Sequence, residues 1–166
     1  MRIAVLAMGL LASAGAAAAQ EGVNAPCVNQ VNGAYDAVAS ADWQRHFAAS
    51  DPAALQRVAG VWYTEIPNPQ LNMIAYIYES FQPNQIFDYR SRTCGITCSD
   101  AYGTGMFAAS TQPDGSIFIT TNVSDNNRRN ACCGVYVRFT DPNTMVGSDG
   151  TTLRRVASAA SISNPC

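Results

Sequence analysis

The sequence predicts an all-β fold: an eight-stranded antiparallel up-and-down barrel, preceded by a short N-terminal helical segment and stabilised by disulfides. From Gly60 onward, short runs rich in Ile, Val, Tyr, Phe and Thr alternate with turn residues at nearly regular intervals. No segment between these runs is long enough for a helical crossover, so neighbouring strands must pair antiparallel and in order. Eight such strands can form a sandwich or a barrel, and barrel closure removes the exposed edges.

The first residues are typical of a secretory signal peptide. A positive start at Arg2 precedes an apolar run from Ile3 to Leu11, and residues 17–19 fit an A-x-A cleavage site. We expect cleavage before Gln20, so that residues 1–19 are removed and the mature protein is exported, either to the periplasm or out of the cell. The apolar run is too short for a membrane span, and no later segment is predicted to cross a membrane.

The rest of the chain divides into three predicted parts. These are a tether and helical segment over residues 20–50, the barrel over residues 51–157, and a C-terminal tail over residues 158–166. Apolar residues recur at near-helical spacing from Ala34 to Ala49, which predicts one amphipathic helix. Asp51 and Pro52 are typical of a helix start, and they predict a short second helical turn over Ala53–Val58.

Eight strands follow, each bounded by residues that favour tight turns. The predicted strands are Ala59–Ile66, Asn72–Phe81, Gln85–Thr93, Tyr102–Thr111, Ser116–Val123, Gly134–Thr140, Thr144–Gly147 and Thr151–Ala157. The turns between them supply Asn, Asp or Gly where a tight turn needs one, as at Asp114-Gly115 and Asp149-Gly150.

Charge and cysteine content narrow the function classes. Without Arg2 the formal net charge changes from −2 to −3, which gives no electrostatic reason to expect a nucleic-acid partner. An even number of cysteines in an exported chain predicts a disulfide framework, here from Cys27, Cys94, Cys98, Cys132, Cys133 and Cys166. A zinc site is the alternative, but the cysteine spacings are wrong for one and His46 is far from them in sequence, so no metal is expected.

The entrance to the first strand resembles the first signature of the lipocalins. Leu55-x-x-Val58-x-Gly60-x-Trp62-Tyr63 matches the family's Gly-x-Trp, which follows a short helical turn across the closed end of the barrel. The resemblance implies that glycine lets the chain lie close beneath the barrel floor, and that the indole plugs that end. It also implies that an arginine of the last strand packs on the Trp62 face. Arg154 and Arg155 are both candidates.

A second lipocalin signature, Thr-Asp-Tyr, is only partly matched. The loop between the sixth and seventh strands reads Thr140-Asp141-Pro142-Asn143, which keeps Thr-Asp and lacks Tyr. Lipocalins also place a helix after the eighth strand, and residues 158–166 are too few for one. The chain is therefore more similar to the broader calycin-type group of small bacterial lipocalin-like domains.

Barrel topology predicts how the cysteines pair. Loops alternate between the two ends of an up-and-down barrel, so the loops after the third and fifth strands share the open rim. This predicts two bridges that join Cys94 and Cys98 to Cys132 and Cys133, and one bridge from Cys27 to Cys166 at the closed end. A local bridge between Cys94 and Cys98 is the alternative.

No enzyme chemistry is predicted. The sequence has no Gly-x-Ser-x-Gly, no glycine-rich phosphate loop and no metal-ligand cluster, so no catalytic residue and no cofactor are expected. His46 lies beside the apolar face of the predicted helix, where packing is its expected role. Glu65 and Glu79 have no evident carboxylate partner, and a paired-acid mechanism is not predicted.

The barrel interior is the remaining candidate site. The residues expected to line it are Trp62, Phe87, Tyr89, Phe107, Ile117, Ile119, Val135 and Val137. A packed core that holds nothing and an apolar pocket for a small molecule are both compatible with this pattern. The sequence thus favours an exported lipocalin-like protein that binds a small apolar or lipid-like ligand. The alternative is a non-enzymatic interaction protein, of protease-inhibitor or envelope-assembly type, that uses the barrel rim.

Overall fold

A computed structural model describes residues 24–29, 32–125 and 130–157 of the chain. Two helices, α1 (Ala37–Ala48) and α2 (Pro52–Val58), precede the strands β1 (Gly60–Asn68), β2 (Met73–Phe81), β3 (Ile86–Cys94), β4 (Cys98–Thr111), β5 (Ile117–Asp125), β6 (Asn130–Asp141), β7 (Thr144–Gly147) and β8 (Thr152–Val156). The strands pair antiparallel in sequence order, and β8 returns to β1 to close a barrel. The predicted fold class is confirmed. The predicted signal peptide and C-terminal tail lie outside the described residues.

Two strands begin earlier than predicted. β4 starts at Cys98 rather than Tyr102, because Cys94 pairs directly with Cys98 and the ladder continues through the polar residues that follow. β6 starts at Asn130 rather than Gly134. Polar composition suggested loops in both places, but an outward-facing strand residue can be polar without breaking the ladder.

The two helices begin at aspartate caps. The carboxylate of Asp36 accepts a hydrogen bond from the Ala39 amide at 2.9 Å, so α1 starts three residues later than predicted. Asp51 caps α2 by accepting from the Ala54 amide at 2.6 Å, and its second oxygen accepts from the Thr111 amide of β4 at 2.7 Å. Asp51 therefore caps a helix and fastens it to the barrel wall.

Helix α1 packs on the outside of the barrel against β4, β5 and β6. Trp43 is almost fully buried there, in a cluster with Cys27, Met106 and Ala108. His46 packs its ring against that of Phe118, with 4.7 Å between the centroids. The helix thus covers one sector of the outer surface and leaves the barrel interior to the strands.

The disulfide bonds differ from the predicted pairing. The structure joins Cys27 to Cys132 and Cys94 to Cys98. The predicted bridges across the rim and the predicted bridge from Cys27 to Cys166 are therefore wrong, and Cys166 itself lies outside the described residues. The local bridge, which was the alternative, is the one that forms at the β3–β4 hairpin.

Strand periodicity explains the error. Cys132 and Cys133 belong to β6 and not to a rim loop, and successive residues of a strand point to opposite faces. Cys132 lies on the outer face, where it meets Cys27 beside α1. Cys94 and Cys98 are register partners with Cα atoms 4.1 Å apart, so they bond across their own hairpin. Two disulfides indicate folding in a non-reducing, exported environment.

No helix in the part of the chain that the structure describes has the length and apolar character needed to span a membrane.

Candidate functional site

The closed end of the barrel is plugged by Trp62. Its side chain is fully buried, and Nε1 donates a hydrogen bond to the Val58 carbonyl oxygen, 2.8 Å away, at the end of α2. Phe139 meets the indole edge-on with 5.7 Å between ring centroids. The guanidinium of Arg155 lies over the indole, 4.3 Å from its centroid. Arg155, rather than Arg154, makes the predicted cation–π contact.

Gly60 is needed because Arg155 occupies the space beside it. The residue has φ +137°, a conformation that L side chains rarely adopt, and a Cβ there would collide with the guanidinium. Arg155 donates to the carbonyl oxygens of Ala59, Arg57 and Pro142, so it ties α2 and the β6–β7 loop to the floor. Partial burial lowers the pKa of Arg155. Gly60 and Trp62 thus both pack against Arg155 at the closed end of the barrel.

The residues predicted to line the interior meet in one hydrophobic cluster. Trp62, Phe87, Phe107, Ile117, Ile119 and Val137 are buried in it, and Tyr89 and Val135 are partly buried against it. Phe81 completes the aromatic packing, with ring centroids 4.8 Å from Phe87 and 5.0 Å from Phe107. Side chains therefore fill the lower part of the barrel.

Beside this packing, one row of the inner wall carries polar side chains. The strand register places Arg155, Trp62, Glu79 and Tyr89 side by side on the inner face of β8, β1, β2 and β3. Glu79 takes part in no hydrogen bond or ion pair among the residues that the structure describes. Burial, and then the negative charge of Asp149, raises the pKa of Glu79 from 4.5 to about 7.

The barrel wall has a gap where β1 leaves β8, next to the row that contains Glu79, although Glu79 itself does not line the gap. β8 pairs with β1 only at Val61, Trp62 and Tyr63, so the two strands separate beyond that point. A cavity of about 590 Å³ opens between the rest of β1 and the β7–β8 turn. Its lining residues are Tyr63, Thr64, Glu65, Ile66, Pro67, Asp149, Gly150, Thr151, Thr152 and Arg154.

Two polar side chains of this cavity face the barrel interior. Thr64 is only 7% exposed, yet its hydroxyl makes no hydrogen bond within the described ranges. Asp149 is held in place because Thr151 donates to it from its amide at 2.9 Å and from its hydroxyl at 3.0 Å. A Cβ on Gly147 would contact both the Asp149 carboxylate and the interior side chain of Val135, which places that carboxylate over the inner wall.

The sequence interpretation missed the polar part of this site. The sequence shows no partner for Glu79 and therefore predicts no role for it. In the fold, the charge of Asp149, seventy residues later in the chain, acts on Glu79. One available signal was the position of Glu79 between Ile77 and Phe81 in a period-two pattern, which assigns the three residues to one face. The partner could not be found that way, because it depends on the closed register. Within the described segments, no group of three or more His, Cys, Asp or Glu side chains is placed to hold a metal ion.

Comparison with known proteins returned no match: no protein-family model fits the chain, and no curated protein or solved structure is similar to it. The closed eight-stranded antiparallel barrel is itself compatible with a calycin-like fold.

Proposed function

We propose that this protein is a non-enzymatic, exported, lipocalin-like binding protein that holds a small, partly apolar molecule in the barrel wall, between β1 and the β7–β8 turn. The calycin-type assignment is part of this proposal. Its support is the floor of Gly60, Trp62 and Arg155, entered from the short helix α2, in the arrangement that the resemblance implies.

The observation that carries the proposal is the cavity of about 590 Å³ between β1 and the β7–β8 turn, which is lined by residues from both faces of β1. Small-molecule sites are commonly concave spaces of about 300–1,000 Å³ that combine apolar walls with a few placed polar groups. Ile66 and Pro67 supply apolar wall, whereas Thr64 and Asp149 supply hydrogen-bonding groups. The residues predicted from the sequence to line the interior form the packed core beside this cavity, and none of the eight lines the cavity itself.

Native mass spectrometry of the mature protein, purified gently from the exported fraction, tests this function. We expect a reproducible added mass of a few hundred daltons that is lost on denaturation. Ile66→Trp should reduce retention because Ile66 lines the cavity. Val38→Trp is the control, since Val38 is 74% exposed on α1. A clean unliganded mass for the wild-type protein with intact disulfides would refute the proposal.

One observation favours the alternative function at the rim. Leu71 of the β1–β2 loop is 65% exposed, and Ile96 at the tip of the β3–β4 hairpin is fully exposed. Apolar side chains at the open end suit a protein partner. The double variant Leu71→Ser/Ile96→Ser separates the two functions: it should leave small-molecule retention unchanged if the barrel is the binding site, and should abolish a purified partner complex if the rim is.

A further inference from the structure

We propose that the ligand carries a cationic amine, which is bound between the carboxylates of Glu79 and Asp149 and the hydroxyl of Thr64. This inference rests on the proposed function, because it names the chemical class of the molecule that the barrel would hold.

Glu79 is the first part of this site. Its place on the inner face is fixed by register, since Trp62 and Tyr89 are its direct partners on either side. A carboxyl in such a position normally pairs with a cation or a hydrogen-bond donor of the protein. Glu79 has neither among the described residues, so its capacity to bind a cation is unused.

The nearby arginines do not fill that role. Arg155 shares the inner row with Glu79, but its guanidinium is turned to the closed end, where it lies over Trp62 and donates to three carbonyl oxygens. Arg154 is exposed and pairs in register with Tyr63 on the outer face. Arg154 lines the cavity from that outer face, so the described inner wall presents the carboxylates of Glu79 and Asp149 without a cation directed at them.

Thr64 gives a second, independent indication of a polar ligand. More than nine-tenths of its surface is buried, its hydroxyl takes no hydrogen bond from the described chain, and it lines the cavity together with Asp149. A buried hydroxyl without a protein partner is a site where a bound molecule can supply the missing hydrogen bond. An ammonium group offers three donors, which matches two carboxylates and one hydroxyl.

The size and surroundings of the site favour an organic amine over a hydrated metal ion. Tyr89 stands beside Glu79 in the inner row and packs on Phe87, so the neighbourhood of Glu79 is aromatic. The cavity volume of about 590 Å³ accepts a molecule much larger than an ion.

Binding of such an amine should strengthen as the pH rises from 5 to 8. The pKa of Glu79 is about 7, so the carboxyl is largely neutral at pH 5 and charged at pH 8, while an alkylamine stays protonated throughout. The ionisable groups that face Glu79 are the carboxyl of Asp149, the phenol of Tyr89 and the guanidinium of Arg155. Glu79→Gln isolates the contribution of Glu79 from theirs.

The test compares two fluorescent probes, cationic dansylcadaverine and its neutral N-acetyl derivative, which differ by one acetyl group, by titration into the mature protein. We expect the amine to bind at least tenfold more tightly than the neutral probe at pH 8. This preference should be lost in Glu79→Gln and weakened in Asp149→Asn. Asp42→Asn, which removes a carboxylate from the exposed face of α1, should behave as wild type.

The outcomes separate this inference from the function on which it rests. Equal binding of both probes, or full binding of the amine by Glu79→Gln, would overturn the cationic-ligand inference and leave a binding barrel in place. Failure of both probes to bind would overturn both proposals. A pH-independent preference for the amine would overturn the assignment to Glu79.

Discussion

Glu79→Gln should make the protein more stable at neutral and alkaline pH, and this result does not depend on any ligand. The substitution keeps the shape of the side chain and removes its charge. Burial raises the pKa of Glu79 to about 7, with Asp149 contributing, so the folded protein favours the neutral carboxyl. A carboxyl in the unfolded chain titrates near 4.5.

The sign and size follow from proton linkage. Between pH 4.5 and 7 the folded state binds a proton at Glu79 that the unfolded state has lost, so the stability of the wild type falls as the pH rises through this window. At about 1.4 kcal/mol per pH unit, the interval between 4.5 and about 7 sets an upper limit of about 3–4 kcal/mol. Residual access of the carboxyl to solvent reduces this figure.

The assay is urea denaturation of both proteins across pH 4 to 8, with disulfides intact. The measured quantity is the difference in free energy of unfolding between Glu79→Gln and wild type, in which the contributions of the other titrating groups cancel. It should be smallest at pH 4, should grow between about pH 4.5 and 7, and should level off at about 2–3 kcal/mol by pH 8. In an Asp149→Asn background the growth should stop at a lower pH and reach a smaller plateau, because one source of the raised pKa is gone. A difference that does not change with pH would refute the placement of Glu79 in the barrel wall.

Three further changes test the floor and the outer disulfide by urea denaturation. Trp62→Ala should cost about 3–5 kcal/mol, since the indole is fully buried, and a loss below about 1 kcal/mol would contradict its role as the floor. Gly60→Ala should cost about 2 kcal/mol more than Gly115→Ala, because both glycines have positive φ and only at Gly60 would the added Cβ collide with a neighbour. Equal costs would show that the Arg155 side chain moves aside without loss of stability. Replacing Cys27 and Cys132 together with Ala should lower the free energy of unfolding by about 4–5 kcal/mol, because their bridge spans 105 residues. An unchanged denaturation midpoint would show that this bridge does not stabilise the fold.

The parts of the fold that depend on local pattern could be predicted from the sequence. Turn residues and period-two runs identified all eight strands, and Asp51 and Pro52 identified the start of α2. The order of the strands followed from the absence of crossover segments. The floor of Gly60 and Trp62 was implied by the resemblance of this stretch to the first lipocalin signature.

The parts that depend on closure could not be predicted. Whether Arg154 or Arg155 covers Trp62 is decided by the β1–β8 register, which no local pattern contains. The same applies to Asp149, whose approach to Glu79 requires the two ends of the sheet to meet. The disulfide error had a different origin, since treating Cys132 and Cys133 as loop residues concealed that they face opposite sides of one strand.

The short seam between β1 and β8 also determines where the barrel closes during folding and where it opens afterwards. Every other pairing joins strands that follow each other in sequence, whereas this one joins Val61 to Val156. The entropy cost of closing so long a loop delays this contact. Only three residue pairs then stabilise it, compared with nine between β4 and β5. We expect the seam to form last and to separate first, with faster amide hydrogen exchange in Val61–Tyr63 and Arg154–Val156 than in β4 and β5. Opening of this seam beside the cavity would admit a molecule while the other seven strand pairs stay intact.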